Sequence, residues 1–237
     1  MLCSALQACK SAGVPQEYLN PLMMSLWVKS KRMPRADFNT YLAEIESRRT
    51  TPNGVFGNKV HLNHWLKLFS PLGEAAGLGF LKSMDRLIFL DRKDKLAQAM
   101  SWTFAKRTMV FNQDISEAPV TFNHVWSDEL VVSISRALAE LTQEELGWRQ
   151  SLEKFRLPFL AVTYEDLVSR PETEMARILD HLGLDPGLVP EAKPRTVKLN
   201  SAMSDIRSRY LAAIGVKDPA AGAAAAVQGP ATAGPLS

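Results

Sequence analysis

The chain has 237 residues, 46% of them hydrophobic and 22% charged, with a formal net charge of +3 and a pI near 8.9. That is the composition of a globular protein long enough for one domain with a real core; its mild basic excess suits an anionic small ligand, whereas the scatter of the basic residues argues against nucleic acid. Cys3 and Cys9 make neither a disulfide framework nor a metal spacing, no run nears the roughly 18 apolar residues of a membrane span, and no charged leader precedes an apolar stretch, so a cytoplasmic protein is expected.

Met1 to Ala12 reads as a helix, with Leu2, Ala5, Leu6 and Cys9 on one face and Gly13 as its C′ residue. Gly13 to Asn20 is a loop. Within it Glu17 stands beside Tyr18, a pair suited to a sugar hydroxyl: the carboxylate can accept the proton and the ring can pack against the sugar's C–H face. An exposed loop glutamate is the plainer alternative. Pro21 opens a helix through Leu22, Leu26 and Trp27. Lys29, Lys31, Arg32 and Arg35 follow, read as a solvated helix end in preference to an acceptor surface. Asp37 caps a helix that uses Phe38, Tyr41, Leu42 and Ile45 and ends at Arg48-Arg49.

Pro52-Asn53-Gly54 is a turn, and Val55 to His61 is expected as a short strand. Lys59 and His61 are two apart, so on a strand they point to the same face. His61 is a candidate for acid–base work because its pKa lies nearest neutrality, or else a core histidine with a backbone partner. His64 could pair with His61 around a metal, but no third ligand is visible and no metal is expected. Short helices are expected over Leu62 to Leu68 and Glu74 to Lys82.

Leu87 to Leu90 is a continuous apolar run, the pattern of a buried parallel strand. It meets Asp91-Arg92-Lys93-Asp94 and then a helix whose one face carries Leu96, Ala99, Met100, Thr103 and Phe104. Asp94 falls in that helix's first turn and Lys106 and Arg107 in its last, as the macrodipole favours. The charged corner lies at the carboxyl edge of a sheet, where open α/β sheets bind ligands. Arg92 and Ser101 would suit a phosphate there; a solvated corner is the alternative. Asp128 to about Phe155 is helical, with Gly147 as a candidate break, and Trp148 to Phe155 reads as core packing. Pro158 to Thr163 is a second buried strand, and Tyr164-Glu165-Asp166 a capped turn into a further helix. Another helix runs from Pro171 to Gly183. Arg207 and Arg209 read as surface arginines. The Ala/Gly/Pro-rich stretch from Lys217 should not pack a core. Strands alternating with helices argue an α/β domain with a mainly parallel sheet, over residues 1–216, followed by a tail at 217–237.

Four segments resemble one family in order. Arg92-x-Asp94-Lys95-x-x-Gln98-Ala99-x-Ser101 is similar to the 3′-phosphate motif of bacterial carbohydrate sulfotransferases of the trehalose 2-sulfotransferase and Nod-factor type. Arg49-Thr50-Thr51-Pro52-Asn53-Gly54-Val55-Phe56-Gly57-x-Lys59-x-His61 resembles their next most characteristic segment. Gly13-Val14-Pro15-Gln16-Glu17-Tyr18 resembles their acceptor-site segment, and Val162 to Leu167 a strand-turn shared more widely. The resemblance spans roughly Met1 to Tyr210. It implies a P-loop-like sulfotransferase fold and transfer of a sulfuryl group from 3′-phosphoadenosine 5′-phosphosulfate to a carbohydrate or glycolipid hydroxyl, without a metal. It makes Glu17 the general base and Val14, Pro15, Gln16, Glu17 and Tyr18 the acceptor loop. Lys59 becomes a charge stabiliser, with His61 beside it, and Arg92 and Ser101 become ligands of the 3′-phosphate. It also admits a homodimer. The family's helix follows a strand and an Arg-Ser-Gly-Ser-Thr loop that cradles the 5′-phosphosulfate; neither precedes Met1, which predicts an N-terminally truncated chain. A non-catalytic relative that keeps a nucleotide-binding or interaction module is the alternative. No G-x-x-x-x-G-K-[ST] motif appears, which disfavours a nucleotide kinase.

Overall fold

The computed structural model describes residues 1–31, 33, 37–108, 126–189 and 201–217, the first two residues of the last segment as backbone only. Helix α1 (Leu2–Ala8) is shorter than its apolar pattern suggests. Lys10 already takes a left-handed φ of 58°, so Gly13 lies beyond the helix end instead of capping it. Asn20 caps α2 (Pro21–Ser30), whose first residue is the proline that lacks an N–H to satisfy. The Asp37 carboxylate accepts from Thr40 N at 2.7 Å and starts α3 (Phe38–Arg49). Helices α4 (Leu62–Phe69) and α5 (Glu74–Lys82) follow, joined by a 3₁₀ turn at Ser70–Leu72.

The strand expected over Val55 to His61 does not form. Asn58 alone pairs there, in parallel with Gln16. Glycine and asparagine at 57 and 58 are poor strand formers, and the facing loop offers a single rung. The regular sheet consists of β1 (Ile88–Asp91) and β2 (Leu160–Thr163), parallel, with Ile88 opposite Leu160 and Asp91 opposite Thr163. Phe89 and Val162 are buried, but Leu90 is 44% exposed, so β1 is not covered on both faces as its apolar run predicts. The architecture is a mixed, mostly helical α/β arrangement around this small parallel sheet.

Helix α6 (Lys95–Thr108) follows β1, burying Ala99, Met100, Thr103 and Phe104 as the sequence pattern predicts. Asp94 stands one residue ahead of it. Helix α7 (Asp128–Lys154) is continuous over 27 residues, and Gly147 does not break it. A Cβ at Gly147 would lie 2.4 Å from Leu62 Cδ2, so the glycine marks a close approach of α4 to α7. Thr163 caps α8 (Tyr164–Ser169), the capped turn expected there; α9 (Pro171–His181) and α10 (Ser201–Ala213) complete the described elements. Arg32, Arg35 and the tail beyond residue 217 lie outside the described residues.

The chain divides into two compact units, Met1–Lys95 with Ala139–Thr196, and Leu96–Leu138 with Val197–Ser237. In the first, Leu2 and Leu6 of α1 pack with Val162, Met175, Ile178 and Leu179. A second cluster gathers Leu19, Leu62, Trp65, Phe69, Phe89 and Leu152, and a third Tyr18, Tyr41 and Ile45. Trp148 joins the second through Trp65, ring centroids 5.7 Å apart, consistent with core packing. In the other unit Leu130, Ile134 and Tyr210 are buried, and the Ser135 and Tyr210 hydroxyls are 3.0 Å apart.

Candidate active site

Two glycines decide where the Gly13–Asn20 loop runs. Gly13 has φ +74°, and a Cβ there would meet Gly57 N at 2.7 Å; a Cβ at Gly57 would meet Pro15 Cβ at 3.1 Å. The first approach requires a residue without a side chain at 13, and the second leaves a side chain at 57 only a tight fit against Pro15. The turn at Pro52–Gly54, closed by Gly54 N donating to Thr51 O at 2.8 Å, brings the second segment back alongside the first. Asn53 Nδ2 donates to Ser11 O at 2.8 Å and ties the two together. Gln16 and Asn58 pair, and Lys59 N donates to Gln16 O at 2.9 Å.

This register puts the next residue of the loop, Glu17, against Lys59 and His61. Lys59 Nζ donates to Glu17 Oε1 at 2.8 Å, and His61 Nε2 lies 3.1 Å from the same oxygen. A carboxylate only accepts, so Nε2 carries the proton in this pairing. Glu17 Oε2 accepts from Asn20 Nδ2 at 3.2 Å. The hydrogen bond from His61, then that from Lys59 with its positive charge, hold the Glu17 carboxyl far below the usual carboxylate range, against the upward push of partial burial. His61 also meets His64 edge to face, centroids 5.4 Å apart; burial, then the neighbouring His61, lower the His64 pKa. The structure therefore brings together Glu17, Lys59 and His61, and His61 uses its side chain on a carboxylate and not on a backbone group. Among the described residues, no group of three or more His, Cys, Asp and Glu is placed to hold a metal.

The rest of the loop supports this centre from below. Tyr18 is buried, stacks on Phe56 at 5.8 Å and donates its hydroxyl to Val14 O at 2.5 Å, so its ring braces the loop instead of lying open to a sugar. Tyr41 donates to Tyr18 O at 2.7 Å. Pro15 is buried, Val14 half-buried and Gln16 exposed. The sequence reading missed Asn20, although Asn-Pro at a helix start is a cap signature that marks it.

The second cluster lies where β1 and β2 end side by side. The Arg92 guanidinium sits 4.4 Å from the centre of the Tyr164 ring, and its buried Nε has no hydrogen-bond partner among the described residues. Glu165 accepts from Lys93 N at 3.0 Å and Asp94 N at 3.1 Å, fixing the backbone beside Arg92. Burial raises the Glu165 pKa, but these two amides outweigh it and the net shift is downward. Below the corner, Asp91 pairs with Lys95 and with Arg149 Nη2 at 3.1 Å, while Glu145 pairs with Lys95 at 2.9 Å and Arg149 Nε at 2.7 Å. Burial pushes the Asp91 carboxyl up, and the Lys95 and Arg92 amide contacts bring it below its ordinary value. Ser101 is exposed on α6, in the other compact unit.

A buried guanidinium N–H with no partner among the described residues, resting on an aromatic ring, can donate to an anion, and a carboxylate held by an ammonium and an imidazole N–H can accept a proton from a hydroxyl. A curated trehalose 2-sulfotransferase of Mycolicibacterium smegmatis (strain ATCC 700084 / mc(2)155) is 26% identical over 157 residues, which cover 62% of this chain and 57% of that protein. The chain thus spans little more than half the length of that relative. The sequence model of the Stf0 sulphotransferase family matches residues 1–212, nearly the whole described chain. On that match, this protein belongs to the Stf0 sulphotransferase family.

Proposed function

We propose that the protein transfers a sulfuryl group from 3′-phosphoadenosine 5′-phosphosulfate to a hydroxyl of a carbohydrate or glycolipid. Family membership supports a transferase; the observation that carries the finer reading is the Glu17 carboxylate held between Lys59 and His61. The donor supplies an activated sulfuryl group and a good leaving phosphate. Arg92, with its unpartnered Nε, fits the 3′-phosphate, and the sequence motif adds Ser101 as a second ligand.

Glu17 accepts the proton of the acceptor hydroxyl as the hydroxyl oxygen bonds to sulfur and the bond from sulfur to the 5′-phosphate oxygen breaks, releasing 3′-phosphoadenosine 5′-phosphate. While Lys59 and His61 both donate to it, the carboxylate is charged but weakly basic. Lys59 has three N–H donors and is partly exposed, so it can turn toward the sulfuryl oxygens without leaving the loop. Its departure from Oε1 makes Glu17 more basic as negative charge gathers on the transferring group, which the ammonium then stabilises. His61 keeps its bond to Oε1 and holds the carboxylate in place. No metal enters this scheme.

Glu17→Gln is the test. It keeps the shape of the side chain and removes the base, so sulfuryl transfer should fall roughly 10²–10⁴-fold. Affinity for 3′-phosphoadenosine 5′-phosphate should stay within about twofold, since Glu17 is assigned no part in the nucleotide corner. Wild-type turnover in this variant would contradict the assignment. Loss of nucleotide binding alone would move Glu17 into the donor site.

A further inference from the structure

Lys59 and His61 both bond Glu17 Oε1, which leaves the rotation of the carboxylate about its last bond to whatever holds Oε2. That group is Asn20, 3.2 Å away through Nδ2. The amide's other end is also committed: Leu22 N donates to Asn20 Oδ1 at 3.1 Å at the start of α2. A backbone N–H can meet only the oxygen, so the capping bond fixes which end of the amide faces Glu17, and that end must be the N–H₂ donor. Two further bonds fix the backbone of the same residue: Asn20 N donates to Glu17 O at 3.0 Å, and Met24 N donates to Asn20 O at 2.9 Å. The carboxylate is therefore referenced to a helix start through one side chain.

We propose that Asn20 is a positioning residue for the Glu17 base: it sets the plane of the carboxylate so that a free lone pair on Oε2 faces the acceptor hydroxyl. This rests on the reading of Glu17 as the base. Asn20 itself need not touch the acceptor. With Oε1 occupied twice, Oε2 has the open accepting capacity, and a carboxylate free to swing would spend much of its time with neither lone pair aligned.

The test uses the near equality of asparagine, serine and aspartate as helix caps. Asn20→Ser and Asn20→Asp both preserve the cap, so both should unfold within a degree or two of wild type. Only asparagine offers an N–H to Glu17. Asn20→Ser should lower kcat roughly tenfold, the worth of a hydrogen bond to a charged group, with nucleotide affinity unchanged. Asn20→Asp puts a second carboxylate beside Glu17, which favours the protonated form, so the acid limb of its kcat profile should also move to higher pH. A residue that merely capped the helix would leave the kcat of Asn20→Ser at the wild-type value, and that result overturns the inference. Glu17→Gln, assayed alongside, keeps the two readings apart. If it turns over normally, the base assignment fails whatever Asn20 does; if it is inactive while Asn20→Ser matches wild type in kcat, the Asn20 inference fails alone.

Discussion

At the scale of single residues, the site is an electrostatic balance around one carboxylate. Glu17, ordinarily titrating near 4.5, is depressed first by His61 and then by Lys59, against partial burial. A group whose pKa falls on folding adds stability above its unfolded value, and that stability is lost as pH falls through the folded one. The window here therefore opens below pH 4.5 and extends well into acid. Lys59→Met removes one of the two hydrogen bonds that hold the carboxylate, and the ammonium charge with it, so the Glu17 pKa should rise. In that variant the acid-labile window moves to higher pH, and any surviving transfer shows its acid limb at higher pH than wild type. Carboxyl titration by NMR checks the shift directly; an unchanged Glu17 would show that the ion pair at 2.8 Å contributes nothing to its charge state. The three residue types were legible in the sequence because their chemistry is intrinsic to them. The depth of Tyr18 was not, since an aromatic in a loop reads alike whether its ring faces a sugar or, as here, Phe56.

Elements place these residues through two loop segments, not through a strand. Strand geometry would put Lys59 and His61 on one face, yet what aligns them is one bridge, Gln16 with Asn58, and the close approach of Gly13 to Gly57. Gly13→Ala should be destabilising by roughly 1–2 kcal/mol from the left-handed φ alone. The 2.7 Å approach to Gly57 N adds to that, because a backbone neighbour cannot swing aside as a side chain can. Urea unfolding measures the loss; a variant as stable as wild type would mean that the two segments separate freely. The helices were easier to read. Pro21, Asp37 and Pro171 each announce a start by local chemistry, and the structure begins α2, α3 and α9 at or beside them. Gly147 misled for a physical reason: a glycine that admits Leu62 looks, in sequence, the same as one that ends a helix.

For the whole molecule, fold class and family could be read from the chain, but the extent of the sheet could not. Both apolar runs became strands and paired in parallel, with the charged corner at their carboxyl ends, as periodicity and the strand–helix order imply. Leu90 shows the limit, since an apolar run does not say which of its residues will be covered. Among the described residues no helix is long and apolar enough to cross a membrane, and the net charge of +3 favours an anionic ligand over an extended polyanion. The proposed function turns on Arg92 as the ligand of the donor's 3′-phosphate. Titration calorimetry with 3′-phosphoadenosine 5′-phosphate, against adenosine 5′-phosphate and against the Arg92→Ala variant, measures that role. Saturable binding is expected, weakening roughly tenfold or more when either the 3′-phosphate or the guanidinium is removed. A folded protein that binds both nucleotides equally, or that keeps its affinity without Arg92, would contradict it.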